Sequence, residues 1–374
     1  MITNVRILHH FSTLLPYTNF VLNHTPKDLL FFDIETTGLS PKTSRVFLIG
    51  LISFQPNTEE WQLIQFLAER NCDEEEQELL KAFSAFAESK TQLTHFNGNS
   101  FDIPYLVSRY ERHRLSNPLS CKNSLDLYRE FLRMPAFFRQ MPNHTQKSFE
   151  ELTCYPRKDL LSGKEMIKFY QSYIKLPSAE KEELLLQHNY DDLAGMLSIF
   201  PLLYIKQLPK GQWELIKAEE LKKQEADQSV TKELLFTLTL PIPVPARLSA
   251  SFSFGYITVS EYTLKVKLPL YEGTLKFYYP DYKNYYYLPL EDEAVHKSVA
   301  VYTDTQHRQK ATAATCYKKY SGTFIYAPDT CPLPLLKEDL RAKECYTFWP
   351  FQNSSLSMQK CYIQEILKTA ITSS

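Results

Sequence analysis

The residue types best suited to metal chemistry lie in residues 29–39, L-L-F-F-D-I-E-T-T-G-L, where an apolar run ends in two acids. Four consecutive apolar residues indicate a strand buried on both faces. Residues two apart on a strand point to the same side, so Asp33 and Glu35 should project together. Paired carboxylates repel one another, and a hard cation such as Mg²⁺ or Mn²⁺ would relieve that repulsion. The alternative is a strand end that runs into a polar turn with two solvated acids.

A third acid follows a second short strand. Residues 92–96 are predicted to form that strand, and residues 103–114 carry apolar side chains at helical spacing. Asp102 then lies near the start of the helix, with Pro104 in the first turn, where proline is tolerated. Asp102 could join the first two acids, or it could merely cap its own helix.

The last acids stand in a late helical segment. Residues 184–203 read L-L-L-Q-H-N-Y-D-D-L-A-G-M-L-S-I-F-P-L-L and have a helix pattern. His188 and Asp192 are four residues apart and share a face of that helix. Asp191 is rotated by about 100° from Asp192, so it should face solvent or a neighbouring side chain.

Together these motifs resemble a known family. D-I-E-T-T-G, then N-x-x-x-F-D-x-P-Y and then H-N-x-x-D is similar to the DEDD 3′–5′ exonuclease superfamily, and within it to the YprB-type domain. The resemblance covers residues 26–205 and implies an α/β ribonuclease-H-like domain, a mixed sheet flanked by helices. Carried over residue by residue, it implies four metal ligands: Asp33, Glu35, Asp102 and Asp192.

One residue departs from the family pattern. Well-studied branches have a tyrosine four residues before the last aspartate, or a histidine five before it, whereas here His188 stands four before Asp192. A histidine beside an activated water could act as general base, because its pKa lies near working pH. The alternative is a histidine on the helix surface with no catalytic part.

The implied chemistry is phosphodiester hydrolysis. Two Mg²⁺ or Mn²⁺ ions roughly 3.5–4 Å apart would activate a water and stabilise the leaving 3′ oxygen. The turn after Glu35 offers backbone N–H groups and a flexible glycine for a terminal nucleotide. The predicted substrate contacts are Thr36, Thr37, Gly38, Leu39, Asn97 and Phe101.

A cationic and aromatic segment, residues 129–175, lies between the second and the third motif. Cations beside rings are what proteins use to track and stack single-stranded nucleic acid. Helix surface combined with core aromatics gives the same composition and remains an alternative. Arg308, Lys310, Lys318 and Lys319, near Tyr317 and Tyr320, raise the same two alternatives in the second half.

The remaining sequence sets the domain plan. A strand at 45–54 and another at 61–67 suggest an antiparallel meander with the first strand, and residues 73–88 look helical. We predict an N-terminal extension at 1–27, the ribonuclease-H-like domain at 28–205 and a charged helical connector at 206–232. Period-two alternation then predicts a mainly β C-terminal domain at 233–374 that ends in a helix at 356–371.

Composition narrows the class of protein. The net charge of −1 argues against non-specific coating of duplex DNA. Seven cysteines without a C-x-x-C pair indicate reduced thiols, and the chain has no apolar run of about 18 residues. We therefore expect a cytoplasmic protein without a membrane span.

Three functional hypotheses follow. The first is a metal-dependent nuclease, 3′–5′ on single-stranded DNA or RNA. The second is a catalytically weak or inactive nucleic-acid-binding protein in a DNA- or RNA-processing assembly, and the third makes the second half a protein-interaction module. A complete set of four acids favours the first, because clustered carboxylates without a cation repel phosphate.

Overall fold

The computed structural model describes residues 1–22, 25–159, 161–224, 230–300, 305–351 and 355–372. These residues pack as two compact units. The first unit comprises Met1–Gln207 with Val244–Arg247, and the second comprises Leu208–Pro243 with Leu248–Ser374.

The first unit contains six strands and eight α-helices among its described residues. In chain order these are β1 (Ile2–Ile7), α1 (Leu15–Leu22), β2 (Leu29–Thr36), β3 (Val46–Gln55), β4 (Glu60–Leu67), α2 (Asp73–Ala87), β5 (Gln92–His95), α3 (Asp102–His113), β6 (Asn123–Asp126), α4 (Leu127–Leu132), α5 (Pro135–Phe138), α6 (Gln146–Leu152), α7 (Gly163–Lys175) and α8 (Ala179–Ile199). The short 3₁₀ segments are His9–Leu14, Pro26–Asp28 and Phe200–Lys210.

The six strands form one mixed sheet in the order β1-β4-β3-β2-β5-β6. Strands β2, β3 and β4 are an antiparallel meander, as the sequence predicts, and β5 and β6 are parallel to β2. This is the predicted mixed sheet flanked by helices, so the fold class is confirmed for this unit. Strand β2 is central and its residues Leu29–Phe32 are fully buried.

Burial on both faces explains why the run L-L-F-F forms a central strand. Leu30 and Phe32 belong to a core that also takes in side chains of α2, α3 and α7. In that core, the Phe47 ring stacks on Tyr170 at 3.9 Å between ring centroids. Fully burying one such side chain stabilises the fold by about 1.5–3 kcal/mol, which fixes β2 and the acids at its end.

The N-terminal residues belong to the sheet rather than to an extension. Strand β1 pairs antiparallel with β4, from Ile2 opposite Leu67 to Ile7 opposite Gln62. The prediction of a separate extension at residues 1–27 is wrong for these strand residues, since it depended on a segment that is short and mixed in composition. Pairing with a distant strand satisfies their backbone groups, and such pairing leaves no mark in local composition.

The second unit contains mainly strands. They are β7 (Glu214–Gln224), β8 (Val230–Phe252), β9 (Gly255–Tyr278), β10 (Tyr285–Leu288), β11 (Glu293–His296), β12 (Gln309–Lys310), β13 (Tyr317–Tyr326) and β14 (Tyr346–Phe348), followed by α9 (Leu356–Thr372). A five-stranded sheet has the order β14-β13-β9-β8-β7, and a three-stranded sheet has the order β11-β10-β12. The prediction of a β-rich second half with a terminal helix is confirmed.

The prediction of a helical connector at 206–232 is wrong. Its described part contains the strand β7, which pairs antiparallel with β8 from Glu214 opposite Thr239 to Gln224 opposite Val230. The mixed charges at i,i+4 suit a helix, but the same side chains are tolerated on an exposed strand. Pairing with the long β8 therefore overrides local helix propensity.

No helix in the described part of the chain is long and apolar enough to span a bilayer.

Candidate functional site

The two acids at the end of β2 face the same helix. The side-chain amide of Asn189 donates to Asp33 Oδ2 at 2.9 Å, and His188 Nε2 lies 3.3 Å from Glu35 Oε1. Both partners belong to α8. The prediction from strand periodicity, that Asp33 and Glu35 project together, agrees with this geometry.

Asp102 reaches the same strand from the start of α3. The backbone N–H of Ile34, the residue between Asp33 and Glu35, favours the charged form of this carboxylate and opposes the rise that burial causes in the pKa of Asp102. The N-cap position is Phe101, with no side-chain capping bond, so Asp102 does not cap the helix as its N-cap residue. Three acids from two elements therefore converge at the end of β2.

His188 and Asp192 complete the group from α8. One ligand atom each from Glu35, His188 and Asp192 lie within 4.8 Å of one another. His188 Nε2 is 3.4 Å from Asp192 Oδ2 and 3.3 Å from Glu35 Oε1. The five predicted catalytic residues are thus brought together, with Asp33 and Asp102 beside this three-residue cluster.

Burial and mutual repulsion disfavour the charged forms of these carboxylates. Burial, and then the charges of Asp192, Asp102 and Glu35, raise the pKa of Asp33 well above its usual value. Burial raises the pKa of Asp102 to about 7. Burial also raises the pKa of Glu35, an effect that its hydrogen bond with His188 opposes. This donor set, crowded with carboxylate oxygen and short of positive charge, fits a hard divalent cation.

His188 carries the opposite charge into the cluster. Burial lowers its pKa, but the hydrogen bond with Glu35 and the charge of Asp192 outweigh burial. With a further contribution from Asp159, the net effect raises the pKa of His188 to about 9. His188 is 5% exposed, so it is not the surface histidine of the alternative interpretation.

Asn189 stands within the H-N-x-x-D motif and has a contact to the acids that the motif does not predict. Its Oδ1 accepts a bond of 2.9 Å from Gln65 Nε2, and its amide nitrogen faces Asp33. Gln65 Oε1 in turn accepts from Asn4 Nδ2 at 2.9 Å. A chain of hydrogen bonds thus connects Asn4 on β1, through Gln65 on β4 and Asn189 on α8, to Asp33.

A glycine permits this close approach of helix and sheet. Gly50 on β3 is the cross-strand partner of Asp33, and a Cβ built there would meet Asn189 Oδ1 at 1.9 Å. Any side chain at this position would displace Asn189 from Asp33. The requirement depends on tertiary packing and cannot be seen in the strand pattern.

The segment at residues 155–159 braces α8. Arg157 makes a bidentate pair with Glu150, with bonds of 2.8 and 2.9 Å, and reaches Asp192 Oδ1 at 2.6 Å. Asp191 accepts from Tyr155 Oη at 3.0 Å and from the backbone N–H of Asp159 at 2.7 Å. Asp191 is buried against this segment, which agrees with the predicted neighbouring partner and excludes the predicted solvent position.

The predicted substrate residues lie mainly in the turn after β2. Thr36 Oγ1 donates to the Gly38 carbonyl at 2.9 Å, and Thr37 Oγ1 accepts from the backbone N–H of Arg45. Leu39 is 82% exposed. These contacts order the turn and leave its tip open to solvent.

The other two predicted substrate residues lie before α3. Asn97 is exposed, has a φ of 58°, and its backbone N–H donates to Asp126. Phe101 is half-buried, with its ring 5.3 Å from that of Tyr105. Asp126 also accepts from the N–H of Arg129 and so caps the start of α4.

The aromatics of residues 129–175 are largely core. Phe131 packs against Phe138 and Phe149, with ring centroids 5.5 and 4.4 Å apart, and all three rings are buried. In the second unit, Arg308 lies 4.8 Å from the ring centroid of Tyr286, and Lys318 lies 5.3 Å from that of Tyr320. These cations already contact rings of the protein. Packing within the protein therefore accounts for much of the cationic and aromatic composition of residues 129–175 and of residues 308–320.

A second acidic group, Asp73, Glu76 and His113, also has metal-like spacing. Arg109, itself 1% exposed, donates to both oxygens of Glu76, at 2.7 and 2.5 Å. A guanidinium thus supplies the positive charge at this position. The group at the end of β2 is the better candidate for a cation.

The sheet order, the parallel β5 and the acids at the end of β2 define an RNase H-like domain. Residues 30–204 match the model of the family described as the RNase_H superfamily. No curated protein sequence matches the chain significantly.

Similar solved structures include a family B DNA polymerase from the hyperthermophilic archaeon Pyrobaculum calidifontis, with 14% identity and a TM-score of 0.36 over 68% of this chain and 35% of the polymerase. They also include exonuclease I, with 12% identity and a TM-score of 0.31 over 56% of this chain and 54% of that one. A zinc-bound complex of E. coli exonuclease I with single-stranded DNA has 12% identity and a TM-score of 0.30, over 57% and 54% of the two chains. This chain therefore spans about a third to a half of the length of these proteins.

Proposed function

We propose that the first unit is a divalent-metal-dependent nuclease that hydrolyses phosphodiester bonds of single-stranded nucleic acid from the 3′ end. The observation that carries this proposal is the convergence of Asp33, Glu35, Asp102 and Asp192 around His188. Four carboxylates match the charge of two divalent cations. The same group without a cation would repel a phosphate backbone.

The four acids would hold Mg²⁺ or Mn²⁺, with Asn189 fixing the orientation of Asp33. When bound, two such ions neutralise charge on a phosphodiester and make a water more acidic. Arg157, which contacts Asp192 at 2.6 Å, keeps that carboxylate on the side of α8 that faces Glu35.

His188 is proposed as the general base for the attacking water. The carboxylates of Glu35, Asp192 and Asp159 raise the pKa of its imidazole to about 9, so the ring is protonated at neutral pH. When a cation balances the charge of these carboxylates instead, the imidazole can release its proton and accept one from water. The 2.7 Å contact of its Nδ1 with Asp159 leaves Nε2 turned toward the acids.

The 3′–5′ polarity and the single-stranded substrate rest on the resemblance of the three motifs to DEDD exonucleases. The turn at residues 36–39 and the segment with Asn97 and Phe101 are proposed to hold the terminal nucleotide. The second unit is proposed to select or hold the strand. Reduced cysteines support a cytoplasmic setting for this activity.

The test is a cleavage assay on end-labelled single strands, DNA and RNA in parallel, with Mn²⁺, Mg²⁺ or EDTA. Wild type, Asp33→Ala and Asp73→Ala are compared, the last as a matched acid from the second acidic group. We expect metal-dependent ladders from the 3′ end with wild type and Asp73→Ala, and none with Asp33→Ala. A His188→Ala variant then tests the general base.

Two outcomes would contradict the proposal. No cleavage with any metal, combined with binding of a single strand, would make this a nucleic-acid-binding protein. Cleavage that persists in Asp33→Ala would place the chemistry outside this site.

A further inference from the structure

The segment at residues 155–159 contacts α8 through alternate side chains. Tyr155 Oη donates to Asp191, Arg157 Nη2 to Asp192, and Asp159 Oδ2 lies 2.7 Å from His188 Nδ1. The resemblance assigned no role to these three residues. Their spacing of two suits an extended segment laid along a helix.

The contact between Asp159 and His188 is the most sheltered of the three. Asp159 is 8% exposed and His188 is 5% exposed. Asp159 Oδ1 accepts from the backbone N–H of Leu161 at 2.9 Å, so the carboxylate plane is fixed from both ends. A buried carboxylate held in this way accepts a hydrogen bond from Nδ1–H and prevents the imidazole ring from flipping.

The opposite edge of the ring faces the acids. His188 Nε2 is 3.3 Å from Glu35 and 3.4 Å from Asp192. We propose that Asp159 is a positioning residue that holds the proton on His188 Nδ1 and presents Nε2 to the acidic cluster. The role in cleavage rests on the nuclease proposed above, whereas the hydrogen bond itself does not.

An asparagine at position 159 would keep the shape of the side chain but would place a hydrogen-bond donor, instead of an acceptor, next to His188 Nδ1. The Leu161 N–H binds Oδ1, so an amide in this place would keep its oxygen there and turn its NH₂ toward His188. That NH₂ can only donate to Nδ1, which moves the ring proton to Nε2. In the neutral ring, the edge that faces the acids would then be a donor, whereas in the wild type the neutral ring presents an acceptor there.

The first measurement is proton NMR of the metal-free protein. We expect a low-field imidazole N–H resonance in wild type, because the Nδ1 proton is shared with a buried carboxylate. The resonance should be absent from His188→Gln, which assigns it, and from Asp159→Asn. Glu165→Gln, an acid-to-amide change in the exposed cap of α7, should keep it.

The second measurement is steady-state cleavage by the same variants with Mn²⁺. Asp159→Asn should lower kcat about 10–100-fold with little change in KM, the range by which loss of an outer hydrogen-bond partner lowers activity at metal sites. The double variant Asp159→Asn/His188→Gln should be no slower than His188→Gln, because the proposed positioning by Asp159 is exerted on that ring. Unfolding midpoints check that the variants are folded.

Each outcome decides the matter. A wild-type protein without the low-field resonance, or an Asp159→Asn variant with unchanged kcat, would overturn the inference, as would fully additive losses in the double variant. A wild-type protein that cleaves neither DNA nor RNA would contradict the proposed nuclease activity. The resonance and its loss in Asp159→Asn would still support the positioning in that case.

Discussion

Replacing Asp102 by asparagine should stabilise the metal-free protein, and by more at pH 8 than at pH 4.5. Burial raises the pKa of Asp102 from 3.8 to about 7. The folded state therefore binds a proton that the unfolded state has lost, and the stability of the wild type falls as pH rises between about 4 and 7. Asparagine has nearly the same shape as aspartate, but it carries no charge to bury.

The magnitude follows from the shift. Three pKa units at about 1.4 kcal/mol each give an upper bound of about 4 kcal/mol above pH 7. Relaxation of the neighbouring carboxylates reduces this, so we expect about 2–4 kcal/mol at pH 8. That range corresponds to a rise of roughly 5–15 °C in the unfolding midpoint of a unit of this size. At pH 4.5 the difference should shrink to about 1 kcal/mol or less.

The assay is thermal unfolding in EDTA at pH 4.5 and pH 8, followed by circular dichroism. Asp73→Asn is the matched control with the opposite sign, because the ion pair with Arg45 lowers the pKa of Asp73. That variant should lose stability at pH 8. If Asp102→Asn is no more stable than wild type at pH 8, or is equally stabilised at both pH values, the reasoning from buried charge is refuted.

Three further predictions concern the frame of the site. Glu76→Gln should cost about 3–5 kcal/mol in urea unfolding, because Arg109 is left as a buried charge without its carboxylate. Gly50→Ala should cost about 1–3 kcal/mol and reduce metal-dependent cleavage, because the new methyl group displaces Asn189. Mn²⁺ at a hundred times its Kd should stabilise the protein by about 2.7 kcal/mol in thermal unfolding. At one fixed Mn²⁺ concentration, the gain in stability should be larger at pH 8 than at pH 5.5. The gain should vanish in Asp33→Asn.

Glu69→Gln is the control for Glu76→Gln, and Gly163→Ala is the control for Gly50→Ala. Glu69→Gln removes an exposed acid and should leave stability nearly unchanged, and Gly163→Ala adds a methyl group where no atom lies within 4 Å. Equal effects of the two glycine variants would contradict the argument from close packing. A Mn²⁺ effect that persists in Asp33→Asn would place the cation elsewhere.

The sequence alone determined the parts of this protein that depend on short-range periodicity. The apolar run before Asp33 fixes a buried strand, and the spacing of two fixes the common direction of Asp33 and Glu35. The spacing of four likewise places His188 and Asp192 on one face of α8. These regularities follow from backbone geometry, so they can be read from a single chain.

Only the tertiary structure decided which residues meet. Asn189 and Asp33 are 156 residues apart, and their contact needs a glycine on a third element. Asp159 reaches His188 from a segment without helix or strand, which leaves no periodic signal. The strand β7 likewise arises from pairing with β8 against its own helical charge pattern. Contacts between distant residues depend on packing and on shared hydrogen bonds, and local sequence encodes neither.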